Sequence, residues 1–274
     1  MNLNGSTQLV GVFGSPITHT ASPAMHNAAF AALKMNWAYV ALQVEPQNLR
    51  QALLGIRDMN FRGVNLTVPH KLLAIDIVDE VDAAARKLGA VNTVVVEAGK
   101  LRGFNTDGYG FSKAIKEEFD MTLKGKRILI LGAGGAGRAI AAQCSLEGAA
   151  KVIIANRTPG RLPDTIQLDA TNVGRVIGET DLIVNATSVG LKEGDSLGLP
   201  SSLFTPKHAV YDTIYRPAET ELMRLAIDAG AKVSNGLGML LHQGAKSFEI
   251  WTKRKAPLTV MRRALRSSVY GERA

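Results

Sequence analysis

The residues most ready for chemistry are the glycines of Gly132-Ala133-Gly134-Gly135-Ala136-Gly137. They stand between an apolar run, Arg127-Ile128-Leu129-Ile130-Leu131, and a helix-forming run, Arg138-Ala139-Ile140-Ala141-Ala142. On a strand–turn–helix, this spacing binds a dinucleotide. Gly132 permits the tight turn, Gly134 with Gly135 and Ala136 brings backbone to the pyrophosphate, and Gly137 lets helix and strand pack closely. The helix start adds unpaired N–H groups and a partial positive charge. A glycine-rich turn with no ligand is the plainer alternative, and the flanking strand and helix weigh against it. The end of the next strand then selects the cofactor. NAD-selecting enzymes place Asp or Glu about 20 residues on, against the ribose 2′-hydroxyl. Here the strand ends in Asn156-Arg157-Thr158 with no acid. A guanidinium pairs with a 2′-phosphate and stacks on adenine, so NADP is expected, the alternative for Arg157 being a solvated strand-end charge.

A second set of polar side chains lies at the ends of apolar strands. Asn65 and Thr67 alternate with Val64, Leu66 and Val68, and Asn92, Thr93 and Asn105 stand where strands are expected to end. Ligands of α/β enzymes collect at such ends.

The elements that must carry these residues alternate between strand and helix. Gln8 to Phe13 reads as a buried strand, and Ser22-Pro23 as an N-cap with proline in the first turn. Met25, Ala28, Ala29, Ala32 and Leu33 are expected on the buried face of the helix that follows. Trp37 to Val44 and Gly63 to Val68 read as strands, and Leu49, Ala52, Leu53 and Ile56 mark a helix. Glu97-Ala98-Gly99-Lys100 reads as the turn of a hairpin between Asn92–Val96 and Leu101–Asn105, which makes one pair antiparallel. A helix over 108–119 connects to a second unit, with strands at 127–131, 151–155, 181–185, 209–212 and 231–234 and a helical end from about Leu240. The expected fold is two-domain α/β. Residues 1–108 form a mixed-sheet domain for substrate and catalysis, on which helices of 240–274 pack back. Residues 109–239 form a Rossmann-like, doubly wound NADP domain.

Whole-chain properties exclude several classes. With 46% hydrophobic and 20% charged residues, the 274-residue chain is ordinary globular protein. No apolar run reaches the roughly 18 residues of a membrane span. The start, Met1-Asn2-Leu3-Asn4-Gly5, has no signal-peptide pattern, and Cys144 is the lone cysteine, so a reduced cytoplasmic setting is expected. The net charge of +8 suits anionic ligands; no recognition module accompanies it, so nucleic acid is not an expected partner. The basic residues Lys253-Arg254-Lys255, Arg262, Arg263 and Arg266 alternate with apolar ones as the wet face of a last helix. His19, His26, His70, His208 and His242 show no metal-ligand spacing, so no metal is expected. Cys144, Trp37 and Trp251 read as packing.

Taken in order along the chain, the motifs resemble those of the shikimate dehydrogenase family. The resemblance rests on Gly14-Ser15-Pro16, Ser22-Pro23 with His26-Asn27, Asn65-Leu66-Thr67-Val68-Pro69-His70-Lys71, Gly89-Ala90-Val91-Asn92-Thr93 and Asn105-Thr106-Asp107-Gly108. It continues through the glycine loop, Asn156-Arg157-Thr158, Asn185-Ala186-Thr187-Ser188-Val189-Gly190, Tyr215-Arg216-Pro217, and Gly236-Leu237-Gly238-Met239-Leu240 with Gln243. The resemblance implies NADP-dependent, reversible reduction of 3-dehydroshikimate to shikimate in aromatic amino acid biosynthesis. It implies Lys71 and Asp107 as the catalytic pair, which also meets the substrate. Thr20 and Ser22 would hold the substrate carboxylate with Tyr215 in support, and Asn65, Thr67, Asn92 and Gln243 would bind hydroxyls or carboxylate. Asn156, Arg157 and Thr158 would form the 2′-phosphate site, Thr187 and Ser188 would join the cofactor loop, and Gly236 and Met239 would meet the nicotinamide.

The residue types suit this reading. Reducing a ketone needs a hydride and a proton at the developing alkoxide, and a lysine beside a carboxylate delivers one and stabilises the other. Taken singly, Lys71 reads as a surface lysine at a helix start and Asp107 as a helix N-cap; the polar strand ends around them favour a site. The chain departs from the family at Thr20, where serine is usual, at Asn235, where aspartate is usual, and at Lys253, where glycine is usual. Pro159, Gly160 and Pro163 interrupt the helix expected after Arg157, so Arg161 is not carried over as a phosphate contact. The partner expected is the small-molecule substrate, with the protein a monomer or homodimer. Two rivals remain: a quinate or dual quinate/shikimate dehydrogenase, and a noncatalytic NADP-binding regulator on the same fold.

Overall fold

The structure is a computed structural model that describes residues 3–158 and 165–272. In chain order its elements are β1 (Gln8–Gly14), α1 (Ser22–Ala32), β2 (Trp37–Gln43), α2 (Leu49–Asp58), β3 (Gly63–Leu66), α3 (His70–Leu73), β4 (Glu80–Val81), α4 (Ala83–Leu88), β5 (Thr93–Glu97), β6 (Lys100–Phe104) and α5 (Asp107–Phe119). There follow β7 (Arg127–Leu131), α6 (Gly135–Leu146), β8 (Lys151–Asn156), β9 (Thr165–Gln167), α7 (Ala170–Ile177), β10 (Leu182–Asn185), β11 (Ala209–Asp212), α8 (Glu221–Asp228), β12 (Lys232–Asn235), α9 (Leu237–Thr252) and α10 (Leu258–Tyr270). The chain divides into two compact units, Met1–Gly110 with Leu240–Ala274, and Phe111–Met239. Among the described residues no helix is long and apolar enough to cross a membrane.

The first unit is a six-stranded sheet in the order β2-β1-β3-β5-β6-β4. Only β5 runs against its neighbours, so the sheet has two antiparallel pairs, β3–β5 and β5–β6, where the hairpin alone predicts one. The hairpin turns through Ala98 and Gly99, both at positive φ (51° and 74°), the geometry that a two-residue turn needs to match strand twist. The core joins Leu49, Leu53 and Ile56 of α2 to Phe13, Val64, Leu66, Val94 and Leu101 of the sheet. Helix α10, with Met261, Leu265 and Val269 buried, packs on α1. Gly63 sits under Trp251 because a Cβ there would meet Val94 O at 2.1 Å and the indole Nε1 at 2.5 Å. The indole donates to Val94 O at 3.0 Å, which places Trp251 in the core of this unit.

Three expectations in this unit need correction. Ser22 is the first residue of α1 rather than its cap; Ala21 holds the cap position and no side chain caps the helix. The buried face of α1 is Ser22, Met25, His26, Ala29 and Phe30, with Ala28 only half-buried and Ala32 exposed. His26 and Phe30 join Met25 and Ala29 on the inward face because their rings meet Tyr39, Phe248 and Trp251. Strand β3 ends at Leu66, so Thr67 lies just past the strand, its N–H donating to Phe13 O at 2.9 Å.

The second unit is a parallel six-stranded sheet, β12-β11-β10-β7-β8-β9. Counted from β7, that is the 3-2-1-4-5-6 order of a doubly wound dinucleotide fold, with the switch in direction between β7 and β10. β7 shows why it is central: Ile128 and Ile130 enter one core with Phe111, Ile115 and Ile140, and Leu129 and Leu131 the other with Val173, Ile177 and Leu222. A strand buried on both faces is apolar throughout, as Ile-Leu-Ile-Leu is. Cys144 is inside the first of these cores, and burial pushes its thiol up to about 12, which makes it inert packing.

Candidate functional site

Two sets of residues stand at strand ends, one in each unit: carboxyl ends in the second, and in the first the carboxyl ends of β3 and β6 beside the amino end of the antiparallel β5, where Asn92 and Thr93 begin that strand instead of ending one. In the second, β7 runs into Gly132 at φ 105°, where a Cβ would meet Thr187 Cγ2 at 2.8 Å and Ala186 O at 3.0 Å. Gly137 is tighter: its Cβ would stand 2.0 Å from Gly132 O, so only glycine lets α6 lie against the turn. Gly134 caps α6, and space is open around Gly134 and Gly135. Gly134, Gly135 and Ala136 are exposed, leaving the helix N-terminus clear for a phosphate. These three observations fit a bound dinucleotide.

Asn156 ties the neighbouring strand to this loop. Its Oδ1 accepts from Ala133 N at 3.2 Å, and its Nδ2 donates to Thr158 O at 3.0 Å. Arg157 and Thr158 are exposed beside it. Arg161 lies outside the described residues. Across the switch point, Asn185 Oδ1 accepts from Thr187 N (3.0 Å) and Thr187 Oγ1 (2.8 Å), with Ser188 exposed beyond. Gly236, whose Cβ would meet Thr213 O at 2.0 Å, and Met239, whose N–H donates to Tyr211 Oη at 3.1 Å, flank the start of α9. Tyr215 follows β11 in this unit, half-buried.

Asp212, which the sequence did not single out, organises these loops. Fully buried, its two oxygens accept from Asn185 Nδ2 (3.1 and 3.0 Å), Ile214 N (2.9 Å) and Thr220 Oγ1 (2.7 Å). Burial pushes its carboxyl up, and those donors oppose the shift.

In the first unit, Lys71 on α3 places Nζ 2.7 Å from Oδ2 of Asp107, the first residue of α5. The lysine side chain is 31% exposed and the carboxylate 10%, so the pair is open to solvent from the lysine side. Asp107 does not spend its carboxylate as a cap: Asn105 Oδ1 accepts its N–H at 3.0 Å, while Asn92 Nδ2 donates to Asp107 Oδ1 at 2.9 Å. Asn92 also donates to Thr106 Oγ1 (2.9 Å), and its Oδ1 accepts from Thr106 N (2.8 Å) and Thr93 Oγ1 (2.9 Å), so its amide is spent inside the protein. Asn65 donates to Asn92 O (3.1 Å), Thr93 Oγ1 (3.0 Å) and Ser247 Oγ (3.0 Å), and accepts from Tyr39 Oη (2.9 Å). Gln243 of α9 reaches the same cluster, its Oε1 3.4 Å from Asn92 Nδ2. Thr20 is half-buried and its Oγ1 lies 3.4 Å from Ser22 N, with Ser22 itself buried.

The structure therefore brings together Lys71, Asp107, Asn92, Asn65 and Gln243; Ser22 joins them through Tyr39, with Thr20 beside Ser22 and Thr67 in the same unit. Sequence reasoning missed Tyr39, Thr106 and Ser247. Tyr39 and Ser247 carry no spacing signal because each lies inside an apolar element, and Ser247 meets Thr93 across 154 residues of chain.

Comparison with known proteins gives the chain its family. Residues 12–94 match the family model of the shikimate dehydrogenase substrate binding domain, residues 113–190 that of shikimate / quinate 5-dehydrogenase, and residues 236–266 that of the shikimate 5′-dehydrogenase C-terminal domain. The shikimate dehydrogenase (NADP(+)) of Desulforamulus reducens is 44% identical over 97% of each chain. The crystal structure of shikimate dehydrogenase from Aquifex aeolicus superposes with a TM-score of 0.90 at 39% identity, covering 97% of this chain and 100% of that one. The shikimate 5-dehydrogenase of Thermus thermophilus, solved with NADP(H) and shikimate, gives 0.87 at 38% identity over 96% and 100%. At such identity and near-complete coverage of both chains, this protein belongs to the shikimate dehydrogenase (NADP+) family.

Proposed function

We propose that the chain catalyses the NADP-dependent, reversible reduction of 3-dehydroshikimate to shikimate, with the first unit holding substrate and the second the cofactor. The observation that carries the reading is the Lys71–Asp107 contact of 2.7 Å, set in a buried polar network rather than on an open surface. The cofactor, when bound, supplies the hydride. Gly132, Gly134, Gly135, Ala136 and Gly137 hold its pyrophosphate, Asn156, Arg157 and Thr158 its 2′-phosphate, Thr187 and Ser188 the adjoining loop, and Gly236 and Met239 the nicotinamide end.

Lys71 keeps two N–H donors after its bond to Asp107. One polarises the substrate carbonyl and gives up its proton as the oxygen gains charge; in the oxidative direction the amine takes the hydroxyl proton back. Asp107 orients the lysine and, through its accepting oxygens, binds a substrate hydroxyl. Asn92 acts mainly by holding Asp107, since its amide is saturated. Asn65, its amide spent in the same network, supports the site as Asn92 does, while Thr67 and Gln243 bind the ring substituents and Thr20, Ser22 and Tyr215 the carboxylate. We place the enzyme in the cytoplasm, as a monomer or homodimer without a metal.

A two-by-two assay tests this: shikimate and quinate oxidation, each with NADP and NAD. The expected result is activity dominated by shikimate with NADP. Dominant quinate activity moves the protein to the quinate enzymes, and no turnover on any pair makes it a binding protein.

A further inference from the structure

Behind the Lys71–Asp107 pair runs a series of hydrogen bonds whose donors all point the same way. The Tyr39 hydroxyl donates to Asn65 Oδ1 (2.9 Å), Asn65 Nδ2 to Thr93 Oγ1 (3.0 Å), Thr93 Oγ1 to Asn92 Oδ1 (2.9 Å) and Asn92 Nδ2 to Asp107 Oδ1 (2.9 Å). The direction is fixed at the two amides. An ionised carboxylate only accepts, so Asn92 must turn its NH₂ toward Asp107 and its oxygen away. The Thr106 N–H on that oxygen, at 2.8 Å, fixes the same orientation. Asn65 must turn its NH₂ toward the Asn92 carbonyl (3.1 Å), so its oxygen faces Tyr39 and takes the phenol proton; Thr93, between the two amides, also meets Ser247 Oγ at 2.8 Å as a side branch. No member from Tyr39 to Asn92 exposes more than 6% of its surface. In such a setting, aligned donors polarise one another, each bond strengthening the next by roughly 10–30%.

The far end of the series is held by a residue with no polar role. His26 is wholly buried, and neither ring nitrogen has a hydrogen-bond partner. Its ring lies flat on Tyr39, with centroids 4.3 Å apart and planes 2° from parallel. Phe248 and Trp251 close around it, at 6.5 and 5.6 Å. The imidazole thus serves as a flat wedge that leaves the phenol one orientation.

We propose that Tyr39 is a positioning residue for the Lys71–Asp107 pair, locked by the stacked His26 ring and acting through Asn65, Thr93 and Asn92. The relay adds electron-withdrawing donors to the carboxylate that anchors Lys71. Its bearing on catalysis rests on the functional reading above; its bearing on Lys71 does not.

Tyr39→Phe keeps the ring and the stack and removes the phenol hydroxyl, which donates to Asn65 and also meets the Ser22 side chain. Its shikimate turnover should fall about tenfold, while KM and NADP affinity stay within a factor of two of wild type. Thr93→Val breaks the series nearer Asp107 and should lose at least as much, with Thr93→Ser recovering most of it. The double variant Tyr39→Phe/Thr93→Val should lose no more than Thr93→Val alone, because both cut one series. A readout without substrate completes the test: acetylation of Lys71 by acetic anhydride, followed peptide by peptide against Lys192, should run several-fold slower in Tyr39→Phe, whose carboxylate, relieved of a withdrawing donor, holds the ammonium more tightly. A wild-type enzyme inactive on shikimate would sink the functional reading and leave the labelling rate to decide the relay. Unchanged turnover and labelling in Tyr39→Phe, or multiplicative losses in the double variant, overturn the proposal. Should Tyr39→Phe fail to fold, the Thr93→Val and Thr93→Ser pair decides by the same readouts.

Discussion

Lys71 and Arg157 occupy opposite kinds of position, and the difference sets what each substitution should do. Lys71 is anchored by Asp107, so Lys71→Ala removes a proton donor from a network that otherwise stays assembled. Turnover should fall by about 10²–10⁴-fold, with a much smaller change in shikimate affinity measured by calorimetry. Near-normal turnover would take the lysine out of the chemistry. Arg157 is exposed at the end of β8, and its loss disturbs no core. A charge-assisted bond to phosphate contributes about 1.5–3 kcal/mol, so Arg157→Ala should raise the NADP dissociation constant roughly 10–100-fold and leave NAD kinetics alone. Equal losses with both cofactors would assign the arginine to folding. Thr20 carries one methyl more than serine beside the expected carboxylate position, and a change of that size alters discrimination by ~1–3 kcal/mol. Thr20→Ser should raise quinate oxidation relative to shikimate, read as the ratio of kcat/KM values; an unchanged ratio removes the steric argument. At this scale, the polar residues proposed for the site were legible where they punctuate strands, as Asn65, Asn92 and Arg157 do. Their supports were not. Tyr39 looks like any strand aromatic, and Asp212 like any strand-end acid, until the fold brings Asn185 and Thr220 to it.

Among the elements, the end of α9 holds a conformational cost that can be measured. Lys253 follows the helix at φ 56°, with its N–H donating to Glu249 O at 2.9 Å. A left-handed residue after a helix is a glycine position, and any side chain there costs on the order of 1 kcal/mol. Lys253→Gly should therefore raise stability by about 1 kcal/mol in urea unfolding, without altering the m-value. A neutral or negative change would show that the lysine side chain makes up for its backbone. Elements with a strong period were readable from sequence. β7 matches its expected span, and α2 buries the leucines and isoleucine that its pattern marks. The short pieces were not: β4 has two residues, β9 three and α3 four, too few for any period to emerge. The inward face of α1 was misread for another reason. Met25 and Ala29 turn in as expected, but His26 and Phe30 join them in place of Ala28 and Ala32, and only the rings of β2 and α9 decide that.

Across the molecule, buried histidines tie stability to pH. Burial alone lowers the His26 ring from 6.5 to about 3, and burial also lowers His70 and His208 against smaller opposing effects. Above pH 6.5 neither folded nor unfolded chain protonates His26. Below it the unfolded chain takes up a proton that the folded one refuses until about pH 3. Stability is thus fully present at neutral pH and falls with acid, by about 1.4 kcal/mol per pH unit for a single such group. Urea unfolding between pH 7 and 4 should show that slope, and His26→Leu should reduce it whatever its effect on absolute stability. The same slope in both proteins would mean that the imidazole is protonated in place. Fold class was legible at this scale because the alternation of strands and helices, with one glycine loop, leaves few topologies open; the running order of the first sheet was not, since nothing in β5 marks its direction. The first unit's assembly from two separated stretches of chain also bears on synthesis. At about 5–20 residues per second, the helices that complete it leave the ribosome on the order of ten seconds after its strands do. In that interval the contiguous second unit can finish folding, while the face of α1 that α10 will cover stays bare to chaperones.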